Sequence, residues 1–508
     1  MSKFVKIRIN PSDAGQSLAG YLARAGYPIH ADCGGRGKCG KCRVRLESGV
    51  LFANPERTRR ATPDADGWYY ACRVYADYDA IVLLPVQDGE GLTDFAGRTA
   101  SDDNTEIDGM LGIALDIGTT TLAMALVSLP DGQVLATASA LNPQKAFGAD
   151  VISRIGACMQ DSTALSSMQS LLLDCIRDMM HRLLGDKRAE RMTVAGNTTM
   201  LHILCGISPA SMGAYPFTPT FTDPKTLSGR ELDLPVDTLT LLPSISAFVG
   251  GDITAGMLAC KLTDSDAPAM LIDVGTNGEA VLYTGRLQGG ALYAASAAAG
   301  PALEGAGISS GVGGIRGAVC AVECRDGRFI CRTVQNAPPI GICGSGLLDL
   351  ASLLYEHGHM DETGLLMADQ PFVYATGEQG ALTLTQEDVR ALQLAKSAIR
   401  AGVEALCAHA GLAPRQLGTI YLAGGLGYYM NVDSAIAIGL LPAEVRDCVQ
   451  SVGNSALGGA VQLLCDPTLA RRLQQEASAC QTLELNTNAV WNAAFMEHMM
   501  FPYDEDDE

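Results

Sequence analysis

Four cysteines crowd the start of the chain with the spacing Cys33-x5-Cys39-x2-Cys42-x29-Cys72, and the first three share the string Cys33-Gly34-Gly35-Arg36-Gly37-Lys38-Cys39-Gly40-Lys41-Cys42. Four thiolates can hold a 2Fe-2S cluster, and three of them on one tight loop let its backbone N–H groups hydrogen-bond the sulfurs. Glycines allow that loop to wrap without Cβ clashes, and Arg36, Lys38 and Lys41 offset part of the cluster's negative charge. A structural zinc site is the alternative. Such sites pair two C-x2-C knuckles, whereas Cys72 stands alone on a strand-like segment. Gly35-x4-Gly40-Lys41 imitates a P-loop, but Cys42 follows where a Mg2+-binding Ser or Thr is required. The expected metal ligands are therefore Cys33, Cys39, Cys42 and Cys72. The remaining cysteines, from Cys158 to Cys480, are scattered singly in mostly apolar contexts and read as buried small hydrophobes.

A second chemistry is written twice. Ile113-Ala114-Leu115-Asp116-Ile117-Gly118-Thr119-Thr120-Thr121 is followed by an apolar run and an Asp131-Gly132 turn. The pattern returns as Leu271-Ile272-Asp273-Val274-Gly275-Thr276-Asn277-Gly278-Glu279, again with an apolar run and a turn, Thr284-Gly285. Each copy puts a carboxylate at the end of a strand and N–H and hydroxyl donors in the turn beyond it, which suits phosphate oxygens. The Asp can hold Mg2+ directly or through water, or orient an attacking water. Two copies in matching contexts imply two similar half-domains facing each other. Three further loops fit the same cleft. Gly196-Asn197-Thr198 leads a strand into a helix and Gly344-Ser345-Gly346 opens another, and helix N-termini attract anions. Gly424-Gly425-Leu426-Gly427 ends a strand and leaves room for a flat group such as adenosine.

These residues need elements to hold them. Residues 1–87 read as short strands over 4–9, 42–46, 69–75 and 80–84 around one short helix near 17–25. Residues 88–109, rich in Asp, Gly, Thr and Ser and without apolar periodicity, read as a flexible linker. From residue 110, apolar strand runs alternate with long helical patterns such as 165–184 and 385–408, which predicts an α/β domain over 110–500 with its second lobe starting near 268. Residues 501–508 read as an acidic tail. The chain's 508 residues leave room for two to four domains. Its 36 Lys and Arg against 56 Asp and Glu give a net charge of −20, which opposes a phosphate backbone or an anionic leaflet, so neither nucleic acid nor a membrane is expected as a partner. The start lacks an apolar signal core and no long uncharged apolar run follows, which predicts a cytoplasmic protein whose 16 cysteines are not disulfides.

The first 87 residues resemble a 2Fe-2S ferredoxin of the β-grasp type, the x5 gap being closer to the adrenodoxin pattern than to the x4 of plants. The loops around Asp116, Asn197, Asp273 and Gly424 resemble, in order, the first phosphate, first connecting, second phosphate and adenosine motifs of the superfamily of acetate and sugar kinases, heat-shock chaperones and actin. The expected fold class is thus an α+β ferredoxin domain followed by a two-lobed α/β actin-like ATPase domain built on a duplicated RNase H-like core. This resemblance implies ATP and Mg2+ between the lobes. Asp116 and Asp273 would be the metal and water positioners, and Asp252 and Glu279 candidates for the general base. Lys396, Ser397 and Arg400 either line the adenine or form a solvated helical face.

The combination is similar to the reductive activators of corrinoid-dependent methyltransferases and corrinoid iron-sulfur proteins. Asn142-Pro143-Gln144, Gly148-Ala149-Asp150-Val151-Ile152-Ser153-Arg154-Ile155, Ala195 to Thr199 and Ala423 to Gly427 look like strings of that family. The resemblance implies an ATP-hydrolysing oxidoreductase of anaerobic methyl transfer, which returns a corrinoid protein from Co(II) to Co(I) through its cluster, with ATP hydrolysis driving the uphill step. An upstream low-potential donor would supply the electron. No corrinoid-binding D-x-H-x-x-G string occurs in the chain, so the cobalt belongs to a partner protein. A homodimer is compatible with this reading. Two other functions stay open: an ATP-driven electron donor to a non-corrinoid, dehydratase-type enzyme, and a chaperone-like module whose cluster senses redox state. Larger family members carry a separate middle domain after the linker, and Asp116 arrives too soon to leave room for one.

Overall fold

The computed structural model describes residues 4–9, 17–24, 42–64, 67–76, 80–85, 109–148, 150–368, 370–377, 380–425 and 430–503. Cys33, Cys39, all but the last residue of the 88–109 segment, Gly427 and residues 504–508 lie outside them. The chain divides into two units, Met1–Gly97 and Arg98–Glu508.

The first unit contains β1 (Phe4–Arg8), β2 (Arg43–Ser48), β3 (Leu51–Phe52), β4 (Tyr69–Tyr70), β5 (Tyr75–Ala76) and β6 (Ile81–Pro85). The main sheet runs β1-β6-β2-β4 with antiparallel pairing throughout. Helix α1 (Leu18–Arg24) places Leu18 and Leu22 one turn apart on a single face, against Ile7, Val44 and Val82 of the sheet. The strand expected over 69–75 is interrupted. Ala71–Arg73 form a 3-10 turn, fixed by the bond from the Ala71 N–H to the Cys42 carbonyl (2.8 Å).

The second unit opens with β7 (Leu111–Ile117), β8 (Thr121–Ser128), β9 (Gln133–Leu141), β10 (Ala189–Gly196), β11 (Lys225–Ser228) and β12 (Val236–Leu241), in the order β11-β12-β10-β7-β8-β9. Strand β7 is flanked by an antiparallel meander on one side and by parallel β10 on the other. Consecutive residues from Ile113 to Leu115 are buried, because both faces of the strand are covered. The plan then repeats. β13 (Ala269–Val274), β14 (Gly278–Tyr283) and β15 (Leu292–Ala297) form the meander. After the small strands β16 (Ala318–Arg325), β17 (Arg328–Thr333), β18 (Gly341–Ile342), β19 (Phe372–Gly377) and β20 (Gly380–Leu384), parallel β21 (Thr419–Ala423) and β22 (Val449–Gly453) complete the far side, with short β23 (Gln481–Thr482) at the edge. In both sheets the strand order reverses beside the central strand, so Asp116 and Asp273 stand at the carboxyl ends where ligand crevices form in open α/β sheets.

Helices α2 (Val151–Gln160), α3 (Ala164–Leu184), α4 (Thr198–Leu204) and α5 (Gly251–Ala259) follow the first sheet. Helices α6 (Gly344–Glu356), α7 (Gln386–His409), α8 (Val432–Ala437), α9 (Ser455–Cys465), α10 (Leu469–Ala479) and α11 (Ala489–Glu497) belong to the later chain. The periodic stretches near 165–184 and 385–408 are α3 and α7, the latter opened by a Thr385/Asp388 capping box. Helix α9 follows β22 of the second sheet in sequence yet packs on the first, where the Thr193 hydroxyl donates to the Ala460 carbonyl (2.6 Å). It also crosses α5 at backbone contact. A Cβ on Gly459 would lie 1.9 Å from the Ala255 carbonyl oxygen, so glycine is required there.

Two expectations fail at the C-terminal end. Lys396 and Ser397 are neither at an adenine nor on a solvated face, because both are buried under α11. The Lys396 ammonium donates to the carbonyls of His498 (2.5 Å) and Met500 (2.7 Å), and the Ser397 hydroxyl donates to that of Phe495. Burial pushes Lys396 down to about 7, with the charge of Arg400 adding to the fall. Arg400 is paired with Glu404 (2.6 Å), which also bonds His498 (2.8 Å). Nor does the tail begin at 501. Phe501 is 1% exposed, and the Tyr355 hydroxyl donates to the Pro502 carbonyl (2.6 Å). Of the scattered cysteines, Cys343 and Cys407 are buried and the others half-buried. Burial pushes Cys260, Cys407 and Cys480 up to about 12, which keeps them thiols.

Candidate functional site

The interruption before β5 brings Cys72 back to Cys42, at the entry to β2. Their sulfurs are 3.3 Å apart across a separation of 30 residues. A tetrahedral metal with sulfur ligands at about 2.3 Å sets them roughly 3.8 Å apart, so this pair needs only a small opening to share one metal. Cys42 is buried and Cys72 half-buried, which suits an iron-sulfur centre shielded from water on one side.

In the second unit the four expected carboxylates come together. Asp116 and Asp273 end the two central strands, Asp252 lies in the first turn of α5, and Glu279 is on β14 beside Asp273. Burial pushes Asp116 up to about 7 against a hydrogen bond from Asn454, and the charge of Asp252 adds to the rise. Burial takes Asp273 to about 8, helped by Asp252, Asp116 and Glu304. Asp252 rises to about 6 through burial, held back by the Ile253 N–H. Glu279 is raised well above its usual range by burial and by the charges of Asp252 and Asp273. Carboxylates whose ionised forms are this strongly disfavoured by burial and by one another suit a cation such as Mg2+, which is commonly held by one or two carboxylates together with phosphate and water.

The phosphate loops are tight in the same way. The Gly118 N–H donates to the Thr121 carbonyl (3.0 Å) and the Gly275 N–H to that of Asn277 (3.1 Å). Behind the first loop, Asn142 donates from its side chain to the Gly118 carbonyl (2.9 Å) and from its backbone to that of Thr120 (2.8 Å). Arg154 donates to the Thr119 carbonyl (2.7 Å). Three successive carbonyls are thus tied down behind the turn, which keeps repelling oxygens away from an incoming anion. Arg154 is fully buried and also bonds Gly148 (3.1 Å) and Gln144 (3.3 Å). Asn197 caps α4 through Met200 (3.0 Å) and reaches the Thr119 hydroxyl (3.0 Å).

Two residues of the site have no local sequence signal. Glu304, in the 3-10 turn Pro301–Glu304, accepts from the Thr276 N–H (3.2 Å), the Thr276 hydroxyl (2.7 Å) and the Thr120 hydroxyl (2.9 Å). Asn454 donates to the Asp116 carboxylate (2.9 Å) while its own oxygen caps α9 through the Leu457 N–H (2.7 Å). Its contact with Asp116 spans 338 residues.

Other expected residues are placed differently. Gly344, Ser345 and Gly346 are buried where α6 packs on β16, the Ser345 hydroxyl donates to the Cys320 carbonyl (2.8 Å), and a Cβ on Gly346 would strike the Val319 carbonyl at 2.3 Å. The Ser345 hydroxyl is thus already paired within the protein. The Thr198 hydroxyl is bound to the Ser246 carbonyl (2.6 Å). Gly424 makes room for a protein group: at φ +89°, its Cβ would lie 2.7 Å from the Asp273 carboxylate. Gly278 admits Ile399 of α7, whose Cγ1 would be 2.6 Å from a Cβ there. Open space surrounds Gly425.

These features define a class: a 2Fe-2S domain joined to a two-lobed ASKHA-type ATPase. Residues 6–77 match the 2Fe-2S iron-sulfur cluster binding domain, 111–265 the RACo middle region, and 267–508 the C-terminal domain of RACo, the ASKHA domain. The chain is 32% identical over 428 residues to the corrinoid activation enzyme RamQ of Eubacterium limosum, covering 77% of this chain and 70% of that one. It is 26% identical over 400 residues to a reductase of the Co(II) methylated amine-specific corrinoid protein of Methanosarcina barkeri, covering 70% of each. A solved reductive activator for a corrinoid, iron-sulfur protein superposes with a TM-score of 0.73 at 27% identity over 98% of both chains. The chain belongs to the RACo family of corrinoid activation enzymes. The expectation that the family's middle region is missing here is overturned, since that region is matched by residues 111–265, which hold the first six-stranded sheet. Among the described residues no helix is long and apolar enough to cross a membrane.

Proposed function

We propose that this chain is an ATP-dependent reductase that returns the cobalt of a separate corrinoid protein from Co(II) to Co(I). One observation carries the reading. A single chain joins a pair of thiols set for a metal to a mirrored carboxylate cleft, in an arrangement that follows a corrinoid protein activator over nearly its whole length. Cys33, Cys39, Cys42 and Cys72 would hold a 2Fe-2S cluster, which would supply one electron at a time. Typical low-potential clusters of this kind sit near about −400 mV. Each ~60 mV uphill costs about 1.4 kcal/mol for one electron, and ATP hydrolysis can offset a few such steps.

The chain's own residues divide the work in the cleft. Asp116 and Asp273 would hold Mg2+, and the turns after them would receive phosphate through Thr120, the Thr276 N–H and the Thr276 hydroxyl. Asp252 is the better general base of the two candidates. At about 6 it is largely ionised at neutral pH, whereas burial and the charges of Asp252 and Asp273 hold Glu279 well above the usual carboxylate range. Because Asn454 ties Asp116 to the start of α9, which packs on the first sheet and directly follows β22 of the second, α9 offers a path from the phosphates to both lobes, by which a nucleotide-dependent state can favour partner binding. Replacing Asp116 or Asp273 by Ala should lower ATP turnover by about two orders of magnitude or more with the cluster's visible spectrum intact. Full ATPase activity in both variants would place the phosphates elsewhere.

A further inference from the structure

Glu304 stands where the phosphate donors converge. Its carboxylate takes one N–H and two hydroxyls, and those donors come from both duplicated loops, Thr120 from the first and Thr276 from the second. The approach to the second loop is close. A Cβ on Gly275 would lie 3.2 Å from the Glu304 oxygen, so the carboxylate rests on the bare backbone of the turn. The turn carrying Glu304 is itself stiff, with Pro301 at its start and Gly305 at its end, where φ is +81° and a Cβ would strike the Val312 carbonyl at 2.2 Å. N–H and hydroxyl donors arranged in a turn are the equipment of an anion site, and here the anion they hold belongs to the protein.

We propose that Glu304 is a built-in stand-in for the terminal phosphate of ATP, holding the two loops together until the nucleotide displaces it. This rests on the reading above that the loops bind phosphate. A ligand that must evict an internal competitor binds with an apparent affinity reduced by the fraction of time the cradle is open. The penalty falls on nucleotides with a third phosphate and not on those without one. After hydrolysis the returning carboxylate takes back the donors and expels inorganic phosphate, which readies the cleft for the next turnover. Glu304 is therefore a specificity-determining residue that sets the ratio of ATP to ADP affinity.

The test compares binding of a non-hydrolysable ATP analogue and of ADP, each with Mg2+, to the full chain and to Glu304→Gln. The variant should bind the analogue roughly tenfold more tightly with ADP affinity unchanged. Analogue affinity that is unchanged or weaker, or a gain shared equally by ADP, would overturn the proposal. Glu304→Asp, which withdraws the charge by one methylene, should move in the same direction and serves if the amide variant does not fold. The paired change Thr120→Val and Thr276→Val separates the two layers. If it leaves analogue affinity untouched, the loops do not bind phosphate and the underlying reading fails whatever Glu304 does.

Discussion

Cys72 is the thiol that makes the first unit's chemistry testable, because it is the one ligand candidate brought in from outside the glycine-rich loop. Cys72→Ser should drop iron and acid-labile sulfide well below two per chain after anaerobic purification and abolish or strongly alter the EPR signal of the reduced protein. Stoichiometric zinc without labile sulfide in the unaltered protein would contradict the cluster. At Asp252 the prediction is a pH profile. The ionised carboxylate is the active form, so ATP turnover should fall as pH drops through about 6, and Asp252→Asn should be slow and lose that step of the fall. An unaltered profile in the Asn variant would remove Asp252 as the base. Most of these residues were legible because each sits in a short local string: the cysteine spacing and the two Asp-x-Gly-Thr turns need only a few neighbours to be seen. Glu304 was not, because what makes it notable is contact with Thr120, 184 residues away. A lone Glu in a Pro-Gly turn carries no such signal.

Elements were read well where periodicity is long. Helices α3 and α7 and both central strands follow from their apolar patterns, and the repeat of strand, turn and strand anticipated the matching topology of the two sheets. What the pattern could not show is how far apart in sequence the supporting pieces lie. Helix α9 joins the first sheet from the end of the chain, and α7 directs Lys396 and Ser397 at the C-terminal segment, which shares no periodicity with it. The Asn142 and Arg154 strings were recognisable as family text, yet their purpose is visible only in the bonds they make behind the first phosphate loop. Arg154→Met should leave the half-buried Thr119 and Gly148 carbonyls without this donor, at about 1 kcal/mol each. The second unit should therefore melt earlier and ATP turnover fall while the cluster spectrum is unchanged. Arg154→Lys should not rescue it, since one ammonium cannot reproduce a fork that reaches three partners. Wild-type melting and turnover in Arg154→Met would show that the loop holds its shape unaided.

On the function proposed above, nucleotide chemistry in the second unit drives an electron from the first into a cobalt held by another protein. Neither unit explains the other alone: a low-potential cluster needs no ATP to reduce most acceptors, and an ASKHA ATPase needs no cluster. Their union in one chain points to an acceptor whose reduction is uphill. The direct measurement is an anaerobic visible titration of a purified corrinoid protein in the Co(II) state with this chain. It is run with reductant alone, with ATP alone and with both, and again with Asp116→Ala. The Co(I) absorption should grow only when reductant and ATP are both present, and it should not grow with the variant. Equal Co(I) formation with and without ATP, or none with every component present, would contradict the account.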